Sequence, residues 1–70
     1  MMTKFQERLV ILWKESELPI KEFARKLDVP YTTLMGWFGI KRDPRASSVA
    51  MVAEATQVSA DWLLGLSEKR

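Results

Sequence analysis

Residues 20–38 read IKEFARKLDVPYTTLMGWF, from Ile20 to Phe38, and here two short apolar-periodic segments are separated by only three residues. In the first, Ile20, Phe23, Ala24 and Leu27 recur at i, i+3, i+4 and i+7, which places them on one helical stripe. In the second, Leu34, Trp37 and Phe38 form a similar stripe. Ala24 sits mid-segment, where a side chain of one methyl group lets the second helix cross closely over the first. A larger side chain there would push the crossing open.

The three separating residues, Asp28-Val29-Pro30, are too few for an ordinary loop. Helices commonly end in a left-handed residue, usually Gly, and Asp is one of the few residues with a side chain that adopts this conformation at modest cost. Val29 is apolar and is predicted to plug the angle between the helices. Pro30 suits a first helical turn, where its missing N–H is no loss, and it biases Val29 to an extended backbone so that the first helix stops. Pro19 gives the same start signal for the segment at Ile20. Together these features spell a helix-turn-helix.

Working outward, the chain predicts five helices and no strand. Helix one runs from about Lys4 to Glu15, with Phe5, Leu9 and Leu12 inward, and the motif supplies helices two and three. Helix four is capped by Ser47 or Ser48 and ends near Thr56. Ser59 caps helix five, Asp61 sits in its first turn where a negative charge suits the helix dipole, and Gly65 ends it. The predicted core is Phe5, Leu9, Leu12, Phe23, Leu27, Leu34, Trp37, Val52 and Trp62. The expected fold is therefore all-α, a compact five-helix bundle spanning 1–66, with 67–70 as a C-terminal tail or the start of a linker.

Seventy residues is short for a self-standing core, and chains of this size are marginal unless they dimerise or carry staples. With neither cysteine nor histidine, a disulfide framework and the usual zinc sites are excluded. The longest apolar run, Leu9 to Trp13, is too short to span a bilayer, and no signal-peptide pattern opens the chain, so a soluble intracellular protein without membrane attachment is expected. Ser residues act as caps here and not as nucleophiles, because no histidine, cysteine or motif-placed lysine activates them. Carboxylates are scattered singly. No enzyme chemistry, metal, cofactor or small-molecule ligand is indicated.

The formal net charge of +2 is too small to argue for a nucleic acid, but its placement says more. Between Ile20 and Arg45 the cations Lys21, Arg25, Lys26, Lys41, Arg42 and Arg45 face only Glu22, Asp28 and Asp43, a net charge of +3. The first nineteen residues balance, and the remainder of the chain carries −1. Positive charge thus surrounds the motif, where phosphates would lie.

If Leu34 and Trp37 point inward, then Thr32, Met35, Gly36 and Gly39 point outward, with Tyr31 and Thr33 at the borders. This face is uncharged, and Gly within a helix costs about 1 kcal/mol relative to Ala. Small residues would let the helix backbone lie deep in the major groove of DNA, with Thr32 and Met35 touching thymine methyls and the Thr or Tyr hydroxyls reaching base edges or phosphates. Arg, Gln and Asn, which suit bidentate base recognition, are absent from the helix. Specificity then comes from DNA shape, from Arg42 or Arg45, or from water.

At these residues the chain resembles the Cro and phage-repressor (lambda-repressor-like) family of helix-turn-helix DNA-binding domains. Ala24 and Leu34 fall on its motif positions, and Trp37 follows at the usual place. Arg8-Leu9 with Leu12 is similar to the family's first helix, Pro44 with Val49, Val52 and Ala53 to its fourth, and VSADWLLG at 58–65 to its closing segment. The chain departs from the pattern at Ile20, where Gln is frequent, at Asp28, where Gly is preferred, at Phe38, where Glu is common, and at Thr56-Gln57, where Leu-Gly is common.

The resemblance implies a sequence-specific double-stranded DNA-binding transcriptional regulator. It would be a phage or prophage repressor domain of the bacterial cytoplasm or nucleoid, occupying an operator through helix three and blocking polymerase. It places Tyr31, Thr32 and Gly36 at base-facing positions, beside Met35 on the same outward face, and Lys21, Thr33, Lys41, Arg42 and Arg45 at phosphates. It also implies a homodimer on DNA. Leu64 and Leu66 follow from the resemblance as interface residues, and Met51 and Ala55 belong to apolar surface that helix four carries off its inward stripe. Val10, Ile11 and Trp13 are similar surplus on helix one; all of these either meet a second copy or widen the buried face. The alternative function is a protein-interaction module that keeps this fold without using DNA, suggested by the neutral face of helix three.

Overall fold

A computed structural model describes residues 2–39 and 44–70. Among the described residues the chain forms α1 (Lys4–Ser16), α2 (Ile20–Lys26), α3 (Tyr31–Gly39), α4 (Ala46–Thr56) and α5 (Ala60–Leu63), and no strand. The all-α expectation holds. Helix α1 is packed against α2, α3 and α5, α2 against α3, and α4 against α5.

Local signals explain where most helices begin and end. Thr3 and Gln6 form a capping box at the start of α1: the Thr3 hydroxyl accepts from the Gln6 amide at 3.1 Å, and Gln6 Oε1 accepts from the Thr3 amide at 2.9 Å. Asp28 ends α2 at φ 60°. Its amide donates to the Arg25 carbonyl at 3.0 Å and the Val29 amide donates to the Ala24 carbonyl at 3.1 Å, the paired bonds of a left-handed helix end. Val29 is buried in the angle, as predicted. Glu17 and Gln57 end α1 and α4 in the same conformation, at φ 57° and 59°. In each case a residue with a Cβ accepts about 1–2 kcal/mol of backbone strain that Gly would avoid.

Helix α4 departs from expectation. Neither Ser47 nor Ser48 caps it; Arg45 occupies the cap position with an extended backbone and no side-chain cap bond. The Arg45 carbonyl accepts from the Ser48 and Val49 amides at 3.0 and 3.1 Å. Starting there gives the helix a turn ahead of Val49, which is buried with Val52, so packing outweighs the cap preference of serine.

All nine predicted core residues are buried, and Ala24, Val29, Val49 and Leu63 complete the cluster. Trp13 is not spare surface: its indole N–H donates to the Leu18 carbonyl at 2.9 Å, and its ring lies 6.0 Å from that of Phe38. Val10 is half-buried, whereas Ile11 stays exposed. Gly65, at φ 80°, closes α5 where a Cβ would come within 2.7 Å of Lys4 Cγ, so only glycine lets α5 approach the start of α1 so closely. The tail folds back. Arg70 binds Glu15 through two contacts of 2.6 Å, and the Arg8 and Arg70 guanidiniums lie 4.8 and 4.7 Å from the Trp62 ring. The hydrogen-bonded Arg70 guanidinium holds the Glu15 carboxyl below its ordinary pKa.

Candidate nucleic-acid interface

The orientation of α3 is set from behind. Leu34 is fully buried, and Trp37 meets the Phe5 ring edge-on, with centroids 6.2 Å apart. Gln6, buried on α1, donates from Nε2 to the carbonyls of Trp37 and Phe38, each at 3.1 Å. These carbonyls lie in the last turn of α3, where backbone acceptors lack partners within the helix. One side chain therefore caps the start of α1 and holds the end of α3. Sequence reasoning passed over Gln6, although the Thr-x-x-Gln spacing of a capping box was there to be read.

Replacing Gln6 with leucine should keep the volume but withdraw the side-chain donor from both carbonyls and remove half of the capping box. A loss of about 2–4 kcal/mol in urea-unfolding free energy is expected. A loss below about 1 kcal/mol would mean that α3 is held without this bond.

The outward side of α3 is broader than expected: Tyr31 and Thr33 are exposed together with Thr32, Met35, Gly36 and Gly39. The helix has no charged side chain. Among the described residues a Cβ added at Gly36 would meet nothing within 4 Å, so no packing against them requires glycine there.

Cations flank this face. Lys21, in the first turn of α2, places its Nζ 5.5 Å from the centroid of the Tyr31 ring. Arg25 is turned to Glu22 at 3.4 Å in an exposed pair. Arg45 stands at the start of α4 on a cleft of about 780 Å³, which it shares with Thr33 and Gly36 of α3. Lys41 and Arg42 lie outside the described residues. Of the expected phosphate-binding set, the fold thus brings Lys21, Thr33 and Arg45 around one helix. Among the expected dimer residues, Met51 borders the same cleft, Leu64 and Leu66 are exposed beyond α5, and Ala55 is half-buried against the core.

The chain is similar to a helix-turn-helix regulator. Over 59 residues, 84% of its length, it is 39% identical to an uncharacterized HTH-type transcriptional regulator of Haemophilus influenzae. The match takes in 24% of that protein, so the chain spans about a quarter of the length of the relative it matches. No protein-family model and no solved structure matches the chain. Among the described residues, no group of three or more acidic residues is placed to hold a metal ion, and no helix is long and apolar enough to cross a membrane.

Proposed function

We propose that this domain is a sequence-specific double-stranded DNA-binding transcriptional regulator, a repressor domain of phage or prophage type that lays α3 in the major groove of an operator. The observation that carries this reading is Gly36. It sits mid-helix at a cost of about 1 kcal/mol relative to Ala, yet among the described residues nothing lies within 4 Å of the place a Cβ would take. A close external surface accounts for it. Similarity to a transcriptional regulator supports the same reading.

In this arrangement Tyr31, Thr32, Met35 and Gly36 face bases, while Lys21, Thr33 and Arg45 contact phosphates on either side. Lys41 and Arg42 take the same role from the segment between α3 and α4. Two copies occupy a roughly palindromic site, with half-sites about 34 Å apart, and exposed Leu64 and Leu66 suit a contact between them. An operator overlapping a promoter would exclude polymerase sterically, in the bacterial cytoplasm.

Selection of bound sequences from a random duplex pool, followed by affinity measurements across salt, tests this. A defined consensus and a steep fall in affinity with salt are expected. No consensus and no salt dependence would leave the protein-interaction alternative, which the exposed, uncharged pair Tyr31 and Met35 favours. Arg45→Ala should weaken binding to all sequences alike and reduce the salt slope by about 0.9; an unchanged slope removes Arg45 from the phosphate contacts. Sedimentation with the selected duplex should show two copies per site, and a single copy at saturating protein would reject the dimer.

A further inference from the structure

Beside the outward face of α3, on the side toward α1, an apolar cleft of about 360 Å³ opens. Half-buried Val10, Trp13, Ile20 and Phe38 line its interior, and exposed Tyr31 and Met35 stand at its rim with Met2. Among the described residues no charged side chain lines it. Tyr31 and Met35 are one turn apart on α3 and are 40% and 41% exposed, so the rim and the proposed base-facing surface share two residues. Lys21 holds its ammonium 5.5 Å from the Tyr31 ring, which puts a cation next to the apolar rim.

Apart from the Tyr31 hydroxyl, such a surface offers nothing to the polar edges of bases. In the major groove of unmodified DNA, the apolar group on offer is the C5 methyl of thymine. That methyl projects from the base toward the backbone of its own strand, so a phosphate lies near it. An apolar seat with a cation beside it matches both features of one thymidine nucleotide.

We propose that the rim formed by Tyr31 and Met35 reads a thymine through its C5 methyl, while Lys21 binds a phosphate adjoining that thymine. The inference rests on the DNA-binding reading above and deepens it. It accounts for a recognition helix without Arg, Gln or Asn: at this position the base is selected by apolar contact, and the charge that fixes register comes from α2. Ile20 has a part in this, because a polar residue at the start of α2 would interrupt the apolar lining.

The test uses the 70-residue chain and a duplex carrying its selected site. Each thymidine is replaced in turn by deoxyuridine, which lacks only the methyl. At one or more thymidines per half-site, uridine should weaken binding about fourfold, the effect of withdrawing one methyl-sized group from an apolar contact. At that position the preference for thymine should fall to about onefold in Tyr31→Ala and Met35→Ala, and it should persist in Arg45→Ala. Lys21→Gln should weaken the thymine and uridine duplexes equally and lower the salt slope. Circular dichroism confirms that the variants fold, and the uridine series needs no variant.

Specific binding with no preference for thymine over uridine at any position, or a selected site without thymine, overturns the inference and leaves the DNA-binding reading standing. A thymine preference that survives in both Tyr31→Ala and Met35→Ala overturns it equally, because the methyl would then be read elsewhere. Failure to bind any sequence specifically overturns both.

Discussion

Gly36→Glu is expected to weaken specific DNA binding by about a hundredfold or more while leaving the fold intact. The position is exposed and mid-helix, and a Cβ there meets nothing within 4 Å among the described residues, so the new side chain starts in open space. Glu is also a better helix former than Gly, by several tenths of a kcal/mol, so the thermal midpoint should rise or stay level. On the DNA the same change drives a carboxylate into the groove between two phosphate strands. Like-charge juxtaposition at an interface costs several kcal/mol, and about 3 kcal/mol corresponds to roughly a hundredfold in affinity.

Gly36→Ala separates the steric part from the electrostatic part. It should stabilise the domain by up to about 1 kcal/mol and still reduce affinity, because one methyl group on a closely approached backbone holds the helix away from the base edges. Fluorescence anisotropy on the selected duplex, paired with thermal melting, reads both effects. If Gly36→Glu binds as tightly as the parent, the outward side of α3 is not the DNA-binding surface.

Leu34→Ala is expected to act in the opposite way, through the fold. Leu34 is fully buried on the inward side of α3, in one cluster with Phe5, Phe23, Ala24 and Trp37. Truncating such a leucine costs about 2–5 kcal/mol, part lost transfer energy and part cavity. A domain of this length has a total stability of roughly 4–10 kcal/mol, so the substitution removes a large fraction of it. The midpoint should fall by roughly 10–30 °C. Affinity for the selected duplex should fall only in proportion to the unfolded fraction, and it should recover on cooling or with excess DNA, since ligand bound to the native state restores it by mass action. A midpoint within about 3 °C of the parent would show that α3 is not anchored by this side chain.

Much of this molecule is written in short-range signals. The i, i+3, i+4, i+7 spacing of Ile20, Phe23, Ala24 and Leu27, the left-handed tolerance of Asp28 and the ring of Pro30 are properties of neighbouring residues. They therefore fix two helices and the turn between them wherever the segment is placed. The same holds for Ser59 at the start of α5 and for Gly65 at its end. The outward position of Thr32, Met35 and Gly36 followed once Leu34 and Trp37 were assigned inward, because helical geometry leaves no other choice.

What the tertiary structure alone decided depends on residues far apart in the chain. Gln6 is polar, yet it is buried because the end of α3, more than thirty residues away, brings two carbonyls to its amide. Trp13 reads as surplus until Leu18 and Phe38 are folded against it. Leu63 and Leu64 are adjacent and chemically identical, and only the docking of α5 determines that the first is buried and the second exposed. At the start of α4, burial of Val49 overrode two serines that were well suited to cap it. The apolar cleft joins Val10 of α1, Ile20 of α2 and Tyr31 and Met35 of α3, a combination with no signature in sequence order. Local conformational preference is set by a residue and its neighbours, whereas burial, long-range hydrogen bonding and the shape of a recognition surface are settled only when separate segments share the same space.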